Sequence, residues 1–382
     1  QEDAAGGKKM KTLVTSLALA SALALSVAGA EALELRLAPG APPVHPAANP
    51  LYSTFATLLP EETNGELTGT VLGPEVVNIV QVRQALQSDL AQVGNLLPLF
   101  VPADVPNTAL TADLAFLATT PHAMAAAVTE YVVTCEDCQA EFKEMGGVFL
   151  GAGSSDVYLL LTTKPVRTRA DLQGLRLRSG GAPYARWAET MGAAPAQVAV
   201  SDQFESISQG VLDGTMGSLS DLIAYRLVDV VDYIVELPLG TYHTTSNFTV
   251  ASGTWQQLSA ETRAGMTRAA NRASAAFTQN WGYERAEQAR EAASEAGIEV
   301  LQVDQELLDA TDEFRQADIA AAIEVATTQL GVSDAEAKIE RFRELVDKWT
   351  GIVEELDGDV DAIAARIQEE VWDQVDYETY GL

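Results

Sequence analysis

Short apolar runs alternate with amphipathic runs along most of this 382-residue chain. The run "LELRLAPG" at 33–40 alternates like a strand, and apolar residues recur at helical spacing in "LYSTFATLLPEETNG" at 51–65. A second strand is then predicted at 66–75, a helix at 76–90 and a buried strand at 91–98. This order predicts mostly parallel sheets covered by helices.

The same alternation resumes after residue 150. Strands are predicted at 151–166, 175–180, 193–200, 233–240 and 247–255, with helices at 182–192 and 201–210. From Ser259 to Gln329 the pattern is almost wholly helical, and two more amphipathic helices follow N-caps at Ser333 and Asp359. The sequence therefore predicts two α/β halves joined by crossing strands, which is typical of a hinged, two-lobed molecule.

The chain is strongly acidic, with 54 Asp and Glu against 24 Lys and Arg and a formal net charge of −30. This balance argues against a nucleic-acid partner, because a phosphate backbone requires a basic surface. From Glu284 onwards, 27 acidic residues face 8 basic ones. The excess fits a solvated face on the C-terminal helices, and it also fits adaptation to a saline habitat.

Residues 1–32 are typical of an N-terminal leader. Lys8, Lys9 and Lys11 precede an apolar run at 13–30, and small residues follow. We interpret this pattern as a secretory signal peptide, cleaved after Ala30 or after Ala32, and we expect a periplasmic protein.

The only two cysteines, Cys135 and Cys138, form a C-x-x-C pair in "TCEDCQAEF". A zinc site would need further cysteines or clustered histidines, and the three histidines are scattered. The residues between the cysteines do not fit a thioredoxin-like motif. In an oxidising compartment we expect a local structural disulfide.

Two arginines, Arg176 and Arg178, lie in the predicted strand "LRLRSG". The chain contains no G-x-S-x-G, H-E-x-x-H or P-loop motif, so none of these catalytic motifs offers another candidate functional site. They could lie on the solvent face of an edge strand. Alternatively, one could hold a carboxylate in a cleft, since guanidinium binds carboxylate through two parallel hydrogen bonds.

An ordered set of motifs surrounds this strand. "TKPVRTRADLQGLRLR" at 163–178 is followed by "MGAAP" at 191–195 and "DQFESISQGVLDG" at 202–214. Together with flanking segments over essentially the whole mature chain, this order resembles the substrate-binding proteins of TRAP (tripartite ATP-independent periplasmic) transporters, the DctP-like family. The resemblance implies a periplasmic-binding-protein fold. Its lobes would comprise 33–157 with 246–285, and 158–245 with 286–382, the second carrying an acidic helical C-terminal extension.

The resemblance also implies a function. A non-enzymatic receptor would bind a small organic acid between its lobes, close around it and deliver it to the membrane subunits of the transporter. Arg178 occupies the position that pairs with the ligand carboxylate in the family, and Arg176 occupies a less direct position. No cofactor or metal is expected.

Further ligand contacts are expected around the cleft, at His45, Asn95, Ser154, Gly217, Ser218, Tyr242 and His243. Many family members carry a polar x-E-N after the V-D-G motif, where this chain has "TMGSL". This departure argues against acyclic sugar acids such as sialic acid. Short hydroxy or keto acids, aromatic acids and sulfonates all remain candidates.

Two other functions stay open from the sequence. Cys135 and Cys138 could serve an exported thiol–disulfide protein or enzyme. A binding protein of this kind could also report its ligand to a membrane receptor.

Overall fold

The structure, a computed structural model, describes residues 32–382. The predicted signal peptide and its cleavage after Ala30 lie outside the described residues. Eleven strands are described: β1 (Leu33–Ala38), β2 (Leu67–Val71), β3 (Val93–Leu96), β4 (Gly147–Phe149), β5 (Leu159–Thr162), β6 (Arg176–Ser179), β7 (Ala194–Gln197), β8 (Gly214–Gly217), β9 (Tyr233–Glu236), β10 (Ser246–Ala251) and β11 (Glu299–Gln302).

Fourteen α-helices are described in residues 32–382. They are α1 (Ser53–Glu62), α2 (Val82–Gln87), α3 (Pro106–Ala109), α4 (Pro121–Thr134), α5 (Glu136–Met145), α6 (Ala182–Met191), α7 (Gln203–Ser208), α8 (Asp221–Ala224), α9 (Ser252–Gln257), α10 (Ala260–Gln279), α11 (Arg285–Ala296), α12 (Gln305–Thr328), α13 (Ala335–Glu355) and α14 (Val360–Glu370). Within 32–382, no helix is both long and apolar enough to span a bilayer.

The strands form two mixed sheets, one in each lobe. The first has the order β2-β1-β3-β10-β4 and the second β11-β9-β5-β8-β6-β7. The antiparallel pairs all involve β10 or β5, and the remaining pairs are parallel. The sheets are therefore less parallel than the sequence predicted, because the chain enters each sheet from the other lobe through one of these strands.

Two apolar cores hold the layers together. The larger includes side chains of the first sheet and of α4, α10, α12 and α13, and it extends to side chains of the second sheet such as Leu160, Leu177 and Met216. The smaller lies against the second sheet, where side chains of β5 and β9 pack on α8 and α11.

Several local predictions were wrong. The strand predicted at 247–255 ends at Ala251, where α9 follows, and the strand predicted at 151–166 is only β5. Strand β11 interrupts the stretch predicted as helical. Helix α11 ends at Ala296 because the next residue, Gly297, has a positive φ of 78°, and "EVLQ" then pairs in parallel with β9. The helix predicted at 76–90 is only α2 and one preceding turn, because the side chain of Asn78 caps that turn. Helix α13 begins after Asp334 rather than Ser333, whereas the Asp359 cap accepts from the amide of Ala362 as predicted.

The C-terminal helices also differ from expectation. Residues 286–382 were assigned to the second lobe, but α13 packs on α4 and α14 packs on α10. Lys348 Nζ contacts Glu130 Oε2 at 2.7 Å, and Asn271 Nδ2 donates to the carbonyl of Ala364 at 2.8 Å. Helices α13 and α14 thus cover the first lobe, while α11 and β11 belong to the second.

Candidate functional site

A cavity lies where the two lobes face each other, and with its mouth it holds about 650 Å³ of empty space. It opens at the carboxyl ends of β1, β3, β6 and β8, where ligands of open α/β sheets bind. The lining combines residues of both lobes with the crossing segment and the end of α10: Gly40, Ala41, His45, Ala47, Ile79, Asn95, Leu97, Leu99, Phe100, Tyr158, Arg178, Gly180, Val200, Asp221, Tyr225, Tyr242, Thr245, Phe277 and Trp281.

Arg178 contributes a buried positive charge to this lining. The residue is 6% exposed, and its Nε donates to the carbonyl of Val198 at 3.0 Å. Its Nη1 is buried without a hydrogen-bond partner, and no carboxylate oxygen of residues 32–382 lies within 4.0 Å of the guanidinium. Gly180 leaves space beside it, since a Cβ there would lie 3.3 Å from Nη1. Near its end, β6 thus carries a buried positive charge, and the Nη1 donor of this guanidinium is not used by any described residue.

Arg176 lies outside the cavity, although it belongs to the same strand. Its guanidinium forms two hydrogen bonds with Asp213, at 2.9 and 3.0 Å, and its side chain is 46% exposed. The bonds from Arg176, followed by that from Lys164, hold the pKa of Asp213 well below its usual range against the effect of burial. The two arginines therefore have different environments, and only Arg178 is available to a bound molecule.

Seven of the lining residues carry aromatic rings, and several of these rings lie close together. The ring of His45 lies 5.6 Å from that of Tyr225 and 5.8 Å from that of Trp281. Trp281 stacks on Phe277 at 5.0 Å, and Tyr242 lies 6.3 Å from Trp281. Burial, followed by the charge of Arg285, lowers the pKa of His45 to about 4, so its imidazole is neutral near pH 7. Such a wall favours a flat, apolar ligand body.

Two further buried polar groups of the lining lack partners. The hydroxyl of Tyr242 has no hydrogen-bond partner, and neither does Oδ1 of Asn95. The Nδ2 of Asn95 donates to the carbonyl of Pro39 at 3.4 Å. Buried polar groups in native proteins are nearly always paired, so such a cluster in one cavity indicates a polar ligand.

Asp221 is the only acidic residue that lines the cavity within the described part of the chain. Burial raises its pKa to about 6, against the opposing effects of the Arg178 charge and a hydrogen bond from Gln203. Gln203 Nε2 donates to its Oδ2 at 3.1 Å. Nearby, burial raises the pKa of Asp156 to about 7. The negative charge facing Arg178 is thus reduced near pH 6.

The other predicted contacts lie beside the cavity rather than in its lining. Ser154 Oγ donates to the carbonyl of the neighbouring Ser155 at 3.3 Å. Ser218 Oγ donates to Ser220 Oγ at 2.9 Å, and a Cβ at Gly217 would lie 3.0 Å from Asp221 Oδ2.

His243 lines an adjacent cavity, and its ring nitrogens lie 3.0 Å from the carbonyl oxygens of Thr111 and Thr241. This adjacent cavity shares Leu99, Gly180 and Tyr242 with the first. Of the predicted set, the structure therefore brings together Arg178, His45, Asn95 and Tyr242.

Cys135 and Cys138 form a disulfide at the start of α5. Neither cysteine lines the cavity. Across 32–382, no three His, Cys, Asp or Glu side chains are grouped to hold a metal ion.

Sequence reasoning missed Asp221, Tyr158, Tyr225, Phe277 and Trp281. Asp221 begins α8, four positions after the last residue of β8, and its place after the carboxyl end of a strand was a usable signal. Phe277 and Trp281 come from the end of a long helix, and only the folded chain brings them to the cavity.

The fold and the cavity define a two-lobed solute-binding protein. The chain belongs to family 7 of the bacterial extracellular solute-binding proteins, the DctP family, whose model matches residues 38–324. These are the solute-binding proteins of TRAP transporters; they are periplasmic receptors and not a family of enzymes.

Solved structures share this fold. A TRAP solute-binding protein of Bordetella bronchiseptica with bound (R)- and (S)-mandelate has a TM-score of 0.72 and 24% identity, covering 83% of this chain and 99% of that one. One of Rhodoferax ferrireducens in complex with benzoate has a TM-score of 0.75 and 16% identity, covering 84% and 99%.

A curated relative is a solute-binding protein of Roseobacter denitrificans. It is 29% identical over 114 residues, which make up 29% of this chain and 34% of the relative's length.

Proposed function

We propose that this protein is the periplasmic receptor of a TRAP transporter for a small aromatic carboxylate, with Arg178 pairing with the carboxylate. The observation that carries the proposal is the buried guanidinium of Arg178, whose Nη1 has no partner among the described residues. A carboxylate supplies both the charge and the acceptors that such a group requires. The Tyr242 hydroxyl, which is also unpartnered, can donate to the same anion.

The wall around Arg178 selects the body of the ligand. Six aromatic residues line the cavity together with the neutral imidazole of His45: Phe100, Tyr158, Tyr225, Tyr242, Phe277 and Trp281. Rings stack favourably on such a surface, whereas the many hydroxyls of a sugar acid would lose hydrogen bonds to water there. The mandelate and benzoate bound by the two structural relatives are acids of this type.

Transport would follow from closure of the cleft. Arg178 lies on the second lobe and Asn95 on the first, so a ligand that contacts both stabilises the closed arrangement of the lobes. The closed receptor would then deliver the acid to the membrane subunits of the transporter. The leader at 1–32 would direct the chain to the periplasm.

Calorimetric titration tests this function. Benzoate, phenylacetate and mandelate are titrated into the wild-type protein and into the Arg178→Met and Arg176→Met variants. We expect at least one acid to bind the wild type and the Arg176→Met control, while Arg178→Met loses about 2–5 kcal/mol of affinity. Equal affinity of the wild type and Arg178→Met would refute the carboxylate pairing. Failure of every acid to bind the wild type would refute the function.

A further inference from the structure

Asn95 presents a buried acceptor that the protein itself leaves unpaired. The residue lies in β3 of the first lobe, one position before the end of the strand, is 5% exposed and lines the cavity. Its Nδ2 donates to the carbonyl of Pro39 at 3.4 Å. Reversal of the amide would place two acceptor oxygens against each other, so the bond to Pro39 fixes which end is free. The free end is Oδ1, which has no donor.

Arg178 presents the opposite chemistry from the second lobe. Its Nη1 is a buried donor without a partner, so the cavity offers a cationic donor on one lobe and a neutral acceptor on the other. A carboxylate is an acceptor only and cannot satisfy Asn95 Oδ1. An unsubstituted ring or a methylene group cannot satisfy it either, and closure around such a group would bury the oxygen unpaired.

We propose that the ligand carries a hydroxyl group in addition to its carboxylate, and that this hydroxyl donates to Asn95 Oδ1. This inference rests on the proposed function and assigns the subclass of acid: a hydroxylated aromatic carboxylate. Arg178 and Asn95 together orient the ligand across the cleft, with its carboxylate on the second lobe and its hydroxyl on the first. An ammonium group is a poorer donor here, because burial in the cavity would remove the hydration of a further charge, whereas a hydroxyl group carries none.

Matched acids that differ by one hydroxyl test the inference by calorimetric titration. The pairs are mandelate with phenylacetate, 3-hydroxyphenylacetate with phenylacetate, and 3-hydroxybenzoate with benzoate. We expect the wild type to prefer the hydroxylated acid in at least one pair by about tenfold or more, since the acid without the hydroxyl leaves a buried acceptor unpaired. In Asn95→Leu this preference falls to about threefold or less.

Asn78→Ser is the matched control, because Asn78 is an exposed asparagine of the same lobe whose capping role serine can take over. It is expected to keep the wild-type preference. The wild-type ratios test the inference even if Asn95→Leu does not fold, which its circular dichroism spectrum would reveal.

Each outcome separates this inference from the function on which it rests. Acids that bind the wild type with equal affinity with and without the hydroxyl would overturn the inference and leave the receptor function standing. An undiminished preference in folded Asn95→Leu would also overturn it, as would tighter binding of phenylglycine than of mandelate. If no acid binds at all, the proposed function fails, and the inference fails with it.

Discussion

Replacement of Arg178 by methionine should weaken ligand binding without weakening the fold. In the structure, the guanidinium is buried, makes one hydrogen bond through Nε and has no carboxylate of residues 32–382 within 4.0 Å. Methionine keeps much of the apolar stem and removes a charge whose loss of hydration is poorly compensated. We therefore expect the free energy of unfolding without ligand to stay the same or rise by up to about 2 kcal/mol.

The same substitution should cost about 2–5 kcal/mol of acid affinity, which is roughly 30-fold to several thousand-fold in Kd. Urea denaturation followed by tryptophan fluorescence gives the first quantity, and calorimetric titration gives the second. If Arg178→Met lost several kcal/mol of stability while its acid affinity stayed within threefold of wild type, Arg178 would be a structural residue, and the reasoning would be refuted.

Three more predictions concern the rest of the molecule. Arg186, whose Nε and Nη1 lie 2.6 Å from two buried aspartates, should be needed for stability: Arg186→Met should lower the free energy of unfolding by about 3–5 kcal/mol in urea, and a loss below 1 kcal/mol would contradict this. Asp221, with its pKa raised to about 6, should favour anion binding when protonated, so acid affinity should fall as pH rises from 5 to 8; calorimetry should show this slope in the wild type and not in Asp221→Asn. Loss of the disulfide in Cys135→Ser/Cys138→Ser should cost about 2 kcal/mol of stability, as expected for so short a loop, and leave acid binding intact; lost binding would instead favour a functional thiol pair.

The fold was largely predictable because its elements are local patterns. Alternating strands and helices indicated two α/β halves, and each predicted strand overlaps a strand of the structure. The predicted bounds are too wide at 151–166, where only Leu159–Thr162 is a strand, and at 247–255, which runs into α9. Strand β11 was missed because it is short and lies between two long helices, and its pairing with β9 is a long-range contact. The packing of α13 on α4 could not be predicted from the sequence either, because an amphipathic pattern shows which face of a helix is apolar but not which element packs against it.

The site was predictable where a residue ends a strand. Asn95 and Arg178 each lie one residue before the end of a strand, next to a loop that faces the cleft. Their order in the sequence alone indicated that position. The difference between the two arginines could not be predicted. It depends on the pairing of β6 with β8, which places Asp213 beside Arg176. Asp221 was missed although it follows the carboxyl end of a strand, because a single aspartate carries little information in so acidic a chain.

A crystal structure of the protein with a bound aromatic acid tests the central claim most directly. We predict that both carboxylate oxygens lie within hydrogen-bond distance of the Arg178 guanidinium or the Tyr242 hydroxyl, with the ring against Trp281. A carboxylate that points to solvent, with Arg178 Nη1 still unpaired, would contradict the account.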